Sequence, residues 1–250
     1  MEQLYSWVLL AVLFFAVTVF FILFKVTAPY GKFLRGGWGV NMPAKFGWMI
    51  MESPSVILMI YFFIASDGWN DTPKILFITV WLSHYAHRTF IYPFTITSKN
   101  KPYPVLLVVF AVFFNCMNGF LNGYEVFNQN FYSNYWFTSP LLYIGLGLFI
   151  IGYFINKQSD YIFSHLKRDE NNNYVIPYGG MFKYVSNPHY FGEIIEWTGW
   201  AIMTWSISGL AFAIFTFANL APRAVTAHRW YKEKFPDYPK ERKAVIPFLW

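Results

Sequence analysis

Charge is scarce in this sequence: Asp, Glu, Lys and Arg make up 13% of its 250 residues, and only 13 of them are acidic. Soluble domains carry about a quarter charged residues, so an ordinary water-soluble fold is excluded. A single cysteine, Cys116, leaves no disulfide framework to build on. The five histidines, His84, His87, His165, His189 and His228, form no H-x-x-x-H or H-x-x-H-H box. Membrane di-iron enzymes need many such ligands, and the one close pair, in HYAHR, falls short, so no metal site is expected. No serine elbow occurs, and GGWG and GLG are not the G-x-G-x-x-G of a Rossmann turn. Any nucleotide must therefore use a pocket made of helix ends and loops.

Apolar residues dominate what is present, at 56%, with aromatics at 23%. Uncharged runs near 20 residues match a hydrocarbon core of about 30 Å, and seven are expected to span: Leu4–Val26, Phe46–Ala65, Ile75–Phe94, Tyr103–Leu121, Tyr135–Ile155, His189–Trp205 and Gly209–Leu220. The first comes after an acidic start, is too long for a signal peptide and lacks a small-residue cleavage pattern, so it reads as a retained helix. Pro54 is tolerable in the second where neighbours re-satisfy the freed carbonyl. The last two are separated only by Ser206–Ser208, a tight hairpin, and the seventh is expected to run past Pro222 as a polar helix to near Phe235. Asn171–Asn173 reads as a loop tip.

With seven spans, every lysine and arginine except Lys74 falls on one side, while Asp67, Asp71 and Glu125 lie on the other. Basic loops stay cytoplasmic, which puts the N-terminus outside and the C-terminus in the cytoplasm. The expected fold is an all-α, polytopic seven-helix membrane bundle in a bacterial inner membrane or the endoplasmic reticulum. The net charge of +6 is then a consequence of topology rather than of nucleic-acid binding, and the same positives can line an anionic cofactor site. No internal repeat or second domain is evident.

Ionisable groups inside spans are costly and mark sites by default. Here they are Glu52 in the second span, the HYAHR run (His84, Tyr85, His87, Arg88) in the third, and His189, Glu193 and Glu196 in the sixth. Residues 189, 193 and 196 share one helix face, and Tyr85, Arg88 and Tyr92 form another stripe. Each alone suits a structural ion pair, such as Arg88 with Glu193 or Glu196. Three spans contributing at one depth beside the longest basic loop suit a shared cavity better. Glu52, a lone carboxyl in a low-dielectric bundle, is expected to be neutral at pH 7. Beside a tyrosine it can hydrogen-bond a ketone oxygen, as buried acid–tyrosine pairs do when they stabilise enolates. The substrate is expected to be an apolar lipid or sterol entering from the bilayer.

At these residues the sequence resembles the steroid 5α-reductase (3-oxo-5α-steroid 4-dehydrogenase) family, over nearly its whole length. The likeness runs through PYGK (29–32), W-x-x-x-E-x-P (48–54), H-Y-x-H-R-T-F (84–90), KPYP (101–104), N-x-x-S-D-Y (156–161) and IPYGG-x-F-x-YVS (176–186). It continues through YFGEIIEW (190–197), R-x-x-x-x-H-R-W-Y (223–231) and FPDYPKERKAVIPFLW (235–250). The resemblance implies one membrane-embedded domain over 1–250, with 1–125 mainly on the substrate side and 126–250 mainly on the cofactor side. It implies NADPH-dependent reduction of the Δ4 bond of a 3-oxo-Δ4-steroid, with hydride delivered to C5 and the C3 carbonyl bound by Glu52 and Tyr85. Trp48 and Met51 would border the substrate. Tyr30, Arg88, Asn156, Asp160, Lys167, Tyr174, His189, Glu193, Arg223, His228 and Tyr231 match cofactor-binding positions.

Three departures stand out. Met51 replaces a glutamine common among relatives, Lys167 replaces an arginine in the long cytoplasmic loop, and His189 replaces an asparagine. A lysine is a point charge where arginine offers a fork, so the preference for NADPH over NADH is not secured by that loop. Other readings stay open: a reductase of another lipid enone, enoyl or polyprenol substrate, a membrane methyltransferase using S-adenosylmethionine, or a non-enzymatic membrane binding protein. Oligomeric state is not legible.

Overall fold

The computed structural model describes residues 1–128, 132–167 and 174–250, so the loop tip expected at 171–173 and Arg168 lie outside the described residues. Three quarters of the chain is helical, with little sheet. Helix α1 (Glu2–Lys25) is apolar throughout, and its Trp7, Leu10, Phe14, Val17 and Phe21 are exposed, as a lipid-facing surface requires. Helix α2 (Ala44–Ala65) carries Pro54 inside it, and α5 (Val105–Asn128) lies alongside. The two are set in register where they begin: strands β1 (Asn41–Pro43) and β2 (Pro102–Pro104) pair antiparallel, Met42 opposite Tyr103. Further along, a Cβ on Gly119 of α5 would lie 3.1 Å from Leu58 and 3.4 Å from the Pro54 carbonyl, so the helices stay close past the proline.

Helix α3 (Thr72–Ala86) starts at Asp71, whose carboxylate accepts the Lys74 N–H at 3.1 Å, with Pro73 in the first turn. It then widens into a π-turn over His87–Ile91 before the short α4 (Tyr92–Thr95). Such a turn inserts an extra residue and re-aims the side chains beyond it. Helices α6 (Pro140–His165) and α7 (Pro188–Thr204) make the closest pair. Gly145 and Gly152 face Gly199 and Gly192, and a Cβ at any of them would collide with the opposite backbone. Small residues let membrane helices approach like this, and the approach brings Asn156 against the first turn of α7.

Helix α8 (Ile207–Lys234) runs unbroken through Pro222. It is joined to α7 by a hairpin in which Trp205 adopts φ +47° and Ser206 Oγ accepts the Gly209 N–H at 3.0 Å. Glu125, from the end of α5, accepts the N–H groups of Ile207 (3.1 Å) and Ser208 (2.7 Å) and a 2.6 Å bond from the Tyr5 hydroxyl. A carboxylate there complements the positive end of the helix dipole. After α8 the chain returns beside α7: Val185 bridges Lys243 in parallel, and Asn187 Nδ2 donates to the carbonyls of Ala224 and Ala244, both at 3.1 Å.

Five of these helices, α1, α2, α5, α6 and α8, are long and apolar enough to cross a membrane, and the molecule is an all-α membrane protein. The other two expected spans correspond to shorter helices: α3 has 15 residues before the π-turn, and α7 has 17. The expected hairpin at Ser206 and the continuation of the last helix past Pro222 are both present. The expected fifth span starts too early, because Asn134–Thr138 is a separate 3-10 turn ahead of Pro140.

Candidate active site

A cavity of about 550 Å³ opens among the loop after α1, α4 and the segment after it, the end of α6, the start of α7 and the second half of α8. That size suits a small-molecule or cofactor site. Nine of the residues singled out from sequence line it: Tyr30, Trp48, His87, Tyr92, Asp160, Tyr174, His189, Arg223 and Tyr231.

Directly behind that wall stands Arg88. The π-turn delivers it to Asp160 of α6 (3.0 Å) and Glu193 of α7 (2.6 Å). Its guanidinium lies over the rings of Trp48 (4.8 Å) and Tyr92 (4.3 Å). Asn156 Nδ2 donates to Glu193 and to the His189 carbonyl, both at 3.1 Å. The ion pair between Arg88 and Glu193 thus exists, as a structural reading would have it, inside the shared cluster the alternative reading asked for. Glu196 pairs instead with His84 Nδ1 at 2.8 Å.

Glu52 and Tyr85 form an inner cluster. Tyr85 is 4% exposed and sits between Trp81 (4.8 Å, stacked) and Trp197 (5.5 Å). Glu52 receives a 3.3 Å bond from Asn115 Nδ2, which also donates to the Met51 carbonyl at 2.6 Å. Ser55 ties the group together: its hydroxyl donates to Asn115 Oδ1 at 3.1 Å and faces Tyr85, and its carbonyl accepts from Trp81 Nε1 at 3.1 Å. Glu52 also lies within electrostatic reach of Arg88 and Glu193, which links the inner cluster to the cavity wall. Met51 is buried against Ala44, Tyr103 and Val108.

Two residues sit apart from the cavity wall. Lys167 is exposed, one position beyond the lining Leu166. His228 Nδ1 meets Ser186 Oγ at 2.6 Å, which in turn meets the Tyr238 hydroxyl at 2.6 Å, so the histidine helps hold the C-terminal tail. Sequence reasoning passed over Asn115 and Ser55, yet a signal existed: Asn115, Asn118 and Asn122 stripe one face of an otherwise uncharged span. It also passed over Lys32. This lysine lines the cavity with Nζ over the rings of Tyr231 (3.8 Å) and Trp230 (4.1 Å), and burial pushes its ammonium down to about 7.

The sequence model of 3-oxo-5-alpha-steroid 4-dehydrogenases matches residues 101–250. The chain belongs to that family. Among similar proteins, the steroid 5-alpha-reductase DET2 of Arabidopsis thaliana is 39% identical, covering 100% of this chain and 98% of its own. The DET2 protein of Gossypium hirsutum is 38% identical with the same coverage. The 3-oxo-5-alpha-steroid 4-dehydrogenase 1 of Homo sapiens is 39% identical over 90% of this chain and 87% of its own. The protein is therefore a membrane oxidoreductase of the steroid 5-alpha-reductase family.

Proposed function

We propose that the protein reduces the Δ4 double bond of 3-oxo-Δ4-steroids with NADPH, giving 5α-reduced 3-oxosteroids. The observation that carries this reading is the junction of two unlike sites. An acid–tyrosine pair held by Asn115 and Ser55 adjoins a cavity whose wall bears cations that make no ion pair among the described residues.

The wall fits an anionic dinucleotide. Among the described residues, Arg223 Nε and His189 Nδ1 are buried without a hydrogen-bond partner, and Arg223 Nη1 meets the Tyr30 hydroxyl at 3.4 Å. Arg223 and Lys32 would meet its phosphates, while Asp160 and Asn156 can accept from ribose hydroxyls or amide N–H groups. When bound, the cofactor supplies the hydride for C5, and the protein orients and polarises the steroid. Glu52, as a neutral acid, and Tyr85 each donate a hydrogen bond to the C3 carbonyl oxygen. That draws electron density from the 4-ene and stabilises the enolate that forms before C4 takes a proton. Trp81 and Trp197 fix the Tyr85 ring, so the donor is in place beforehand. Tyr30, Tyr174, His189, Glu193 and Tyr231 complete the cofactor side, and Trp48, which lines the cavity against Arg88, borders the substrate. Lys167 and His228 would act from its margin.

The chain crosses the membrane seven times in this reading, with α3 continued by its π-turn and α4, and with α7 as a short span. The basic loops support a cytoplasmic C-terminus and a cavity open to the cytoplasm. The N-terminal half mainly holds substrate, admitted from the lipid, and the C-terminal half mainly holds cofactor. The host membrane is a bacterial inner membrane or the endoplasmic reticulum.

The test is NADPH oxidation by the detergent-solubilised protein with and without progesterone, with products weighed by mass spectrometry. Steroid-dependent consumption and a product two mass units heavier are expected. Tight NADPH binding without steroid turnover would move the substrate to another lipid enone, enoyl or polyprenol. Binding of S-adenosylmethionine in place of NADPH would replace the reading with methyl transfer.

A further inference from the structure

Lys32 presents a cation whose surroundings ask for a ligand. Its Nζ rests against Tyr231 at 3.8 Å, Trp230 at 4.1 Å and Phe33 at 5.4 Å, and it faces the cavity. Among the described residues the ion pairs are His84–Glu196, Arg88–Asp160 and Arg88–Glu193, and Lys32 belongs to none. Ring faces attract an ammonium but do not neutralise it. A partly buried charge without a counter-ion is costly, and burial accordingly lowers its proton affinity. An anion arriving through the cavity relieves that cost.

We propose that Lys32 recognises the 2′-phosphate of the adenosine ribose and thereby selects NADPH over NADH. The inference rests on the dinucleotide reading of the cavity, and it turns on where two of the wall cations without an ion pair among the described residues, Arg223 and Lys32, stand. Arg223 and Tyr231 are eight residues apart on α8, about 12 Å along the axis. Arg223 stands beside Tyr30 and Tyr190, on the side of Glu193. Lys32 stands two turns further along, where Tyr174 packs edge-on against Trp230. NADPH carries its negative charge at two separated places, the central pyrophosphate and the adenosine ribose. NADH lacks the second. Arg223 serves the first place and Lys32 the second. The loop residue that the family resemblance points to, Lys167, is exposed and lies beyond the wall.

Binding of non-reacting probes separates this from catalysis. Calorimetric titration of the detergent-solubilised protein with NADP⁺, NAD⁺, 2′-AMP and 5′-AMP would be compared for the wild type, Lys32→Met and Lys32→Arg. Methionine keeps the apolar stem in the cage and removes the charge, while arginine restores charge and controls for folding. Losing one partner of a desolvated charge pair weakens binding by about thirtyfold or more. That loss is expected for NADP⁺ and 2′-AMP with Lys32→Met, while NAD⁺ and 5′-AMP change less than twofold and Lys32→Arg keeps the preference. Equal losses for NADP⁺ and NAD⁺, or no loss, would overturn the assignment of Lys32 and leave the cavity reading intact. A wild type that binds no dinucleotide would overturn both.

Discussion

Arg88 and Lys32 are both cations laid against aromatic rings at one cavity, and their electrical surroundings are opposite. Arg88 has two carboxylates within 3.0 Å, on two different helices, and rings on the remaining sides. Lys32 has rings and, among the described residues, no ion pair. The first arrangement is complete without ligand, so its work is to join α3, α6 and α7 and hold Asp160 and Glu193 in fixed directions. The second is complete only when something negative arrives. The same pairing of a cation with aromatic faces is therefore a strut in one place and a receptor in the other, and the presence of the acids distinguishes them.

Substitution separates the two most sharply in stability. Arg88→Met strands two carboxylates inside the bundle and should cost about 3–5 kcal/mol, read as a large fall in Tm in detergent without ligand. Lys32→Met removes a charge that has no partner, and its Tm should stay the same or rise. Equal falls would erase the distinction. On the substrate side, Glu52→Ala should lower turnover by about a thousandfold, the scale of losing a donor to a developing oxyanion. NADP⁺ affinity should stay within twofold. Glu52→Gln still donates a hydrogen bond and should keep measurable activity. A folded Gln variant with none would mean that Glu52 must pass a proton rather than polarise the carbonyl.

How much of this was legible beforehand divides along the same line. Membrane character and the long helices could be read from the sequence, and Glu52, Arg88 and Glu193 stood out because a charge inside an apolar run is expensive, whereas Asp160 entered only through the family resemblance. The pairing of Arg88 with Asp160 as well as Glu193 could not, because it depends on the π-turn, and a one-residue insertion leaves no mark in a helical pattern. Asn115 was hidden by being uncharged within a span that otherwise looked like lipid-facing helix. Lys32 was hidden for the opposite reason: a lysine in a short loop just beyond a span looks like an ordinary topological positive charge. Only the fold brings Trp230 and Tyr231, some 200 residues later, beneath it. Glu125 looked like an outside charge and is the cap of α8.

Arg223 tests the receptor half by a smaller effect. Arg223→Ala should raise the KM for NADPH by about tenfold or more, consistent with losing a charge-assisted contact, while the KM for steroid changes little. The reverse pattern would place Arg223 on the substrate side and move the pyrophosphate away from it.

The least change needs no mutation. Burial holds the Lys32 ammonium at about 7 in the free protein, whereas a phosphate beside it would favour the charged form. Below that value the free protein already carries the proton, and binding takes up none. Above it, binding NADP⁺ must draw a proton from solvent, so affinity should fall by up to about tenfold per pH unit between roughly pH 7.5 and 9. Lys157 of α6 also lines the cavity, beside His87, so the part due to Lys32 is the difference between the wild type and Lys32→Met across this window. A phosphate monoester is already a dianion across it. Calorimetry at about pH 8 in two buffers of different ionisation enthalpy should show uptake of up to one proton with NADP⁺ and almost none with NAD⁺. In a Lys32→Met variant the excess uptake with NADP⁺ over NAD⁺ should vanish. If NADP⁺ affinity is flat across the window while the wild type still prefers it to NAD⁺, the 2′-phosphate is met by a permanently charged group, and the unpaired lysine is not the receptor.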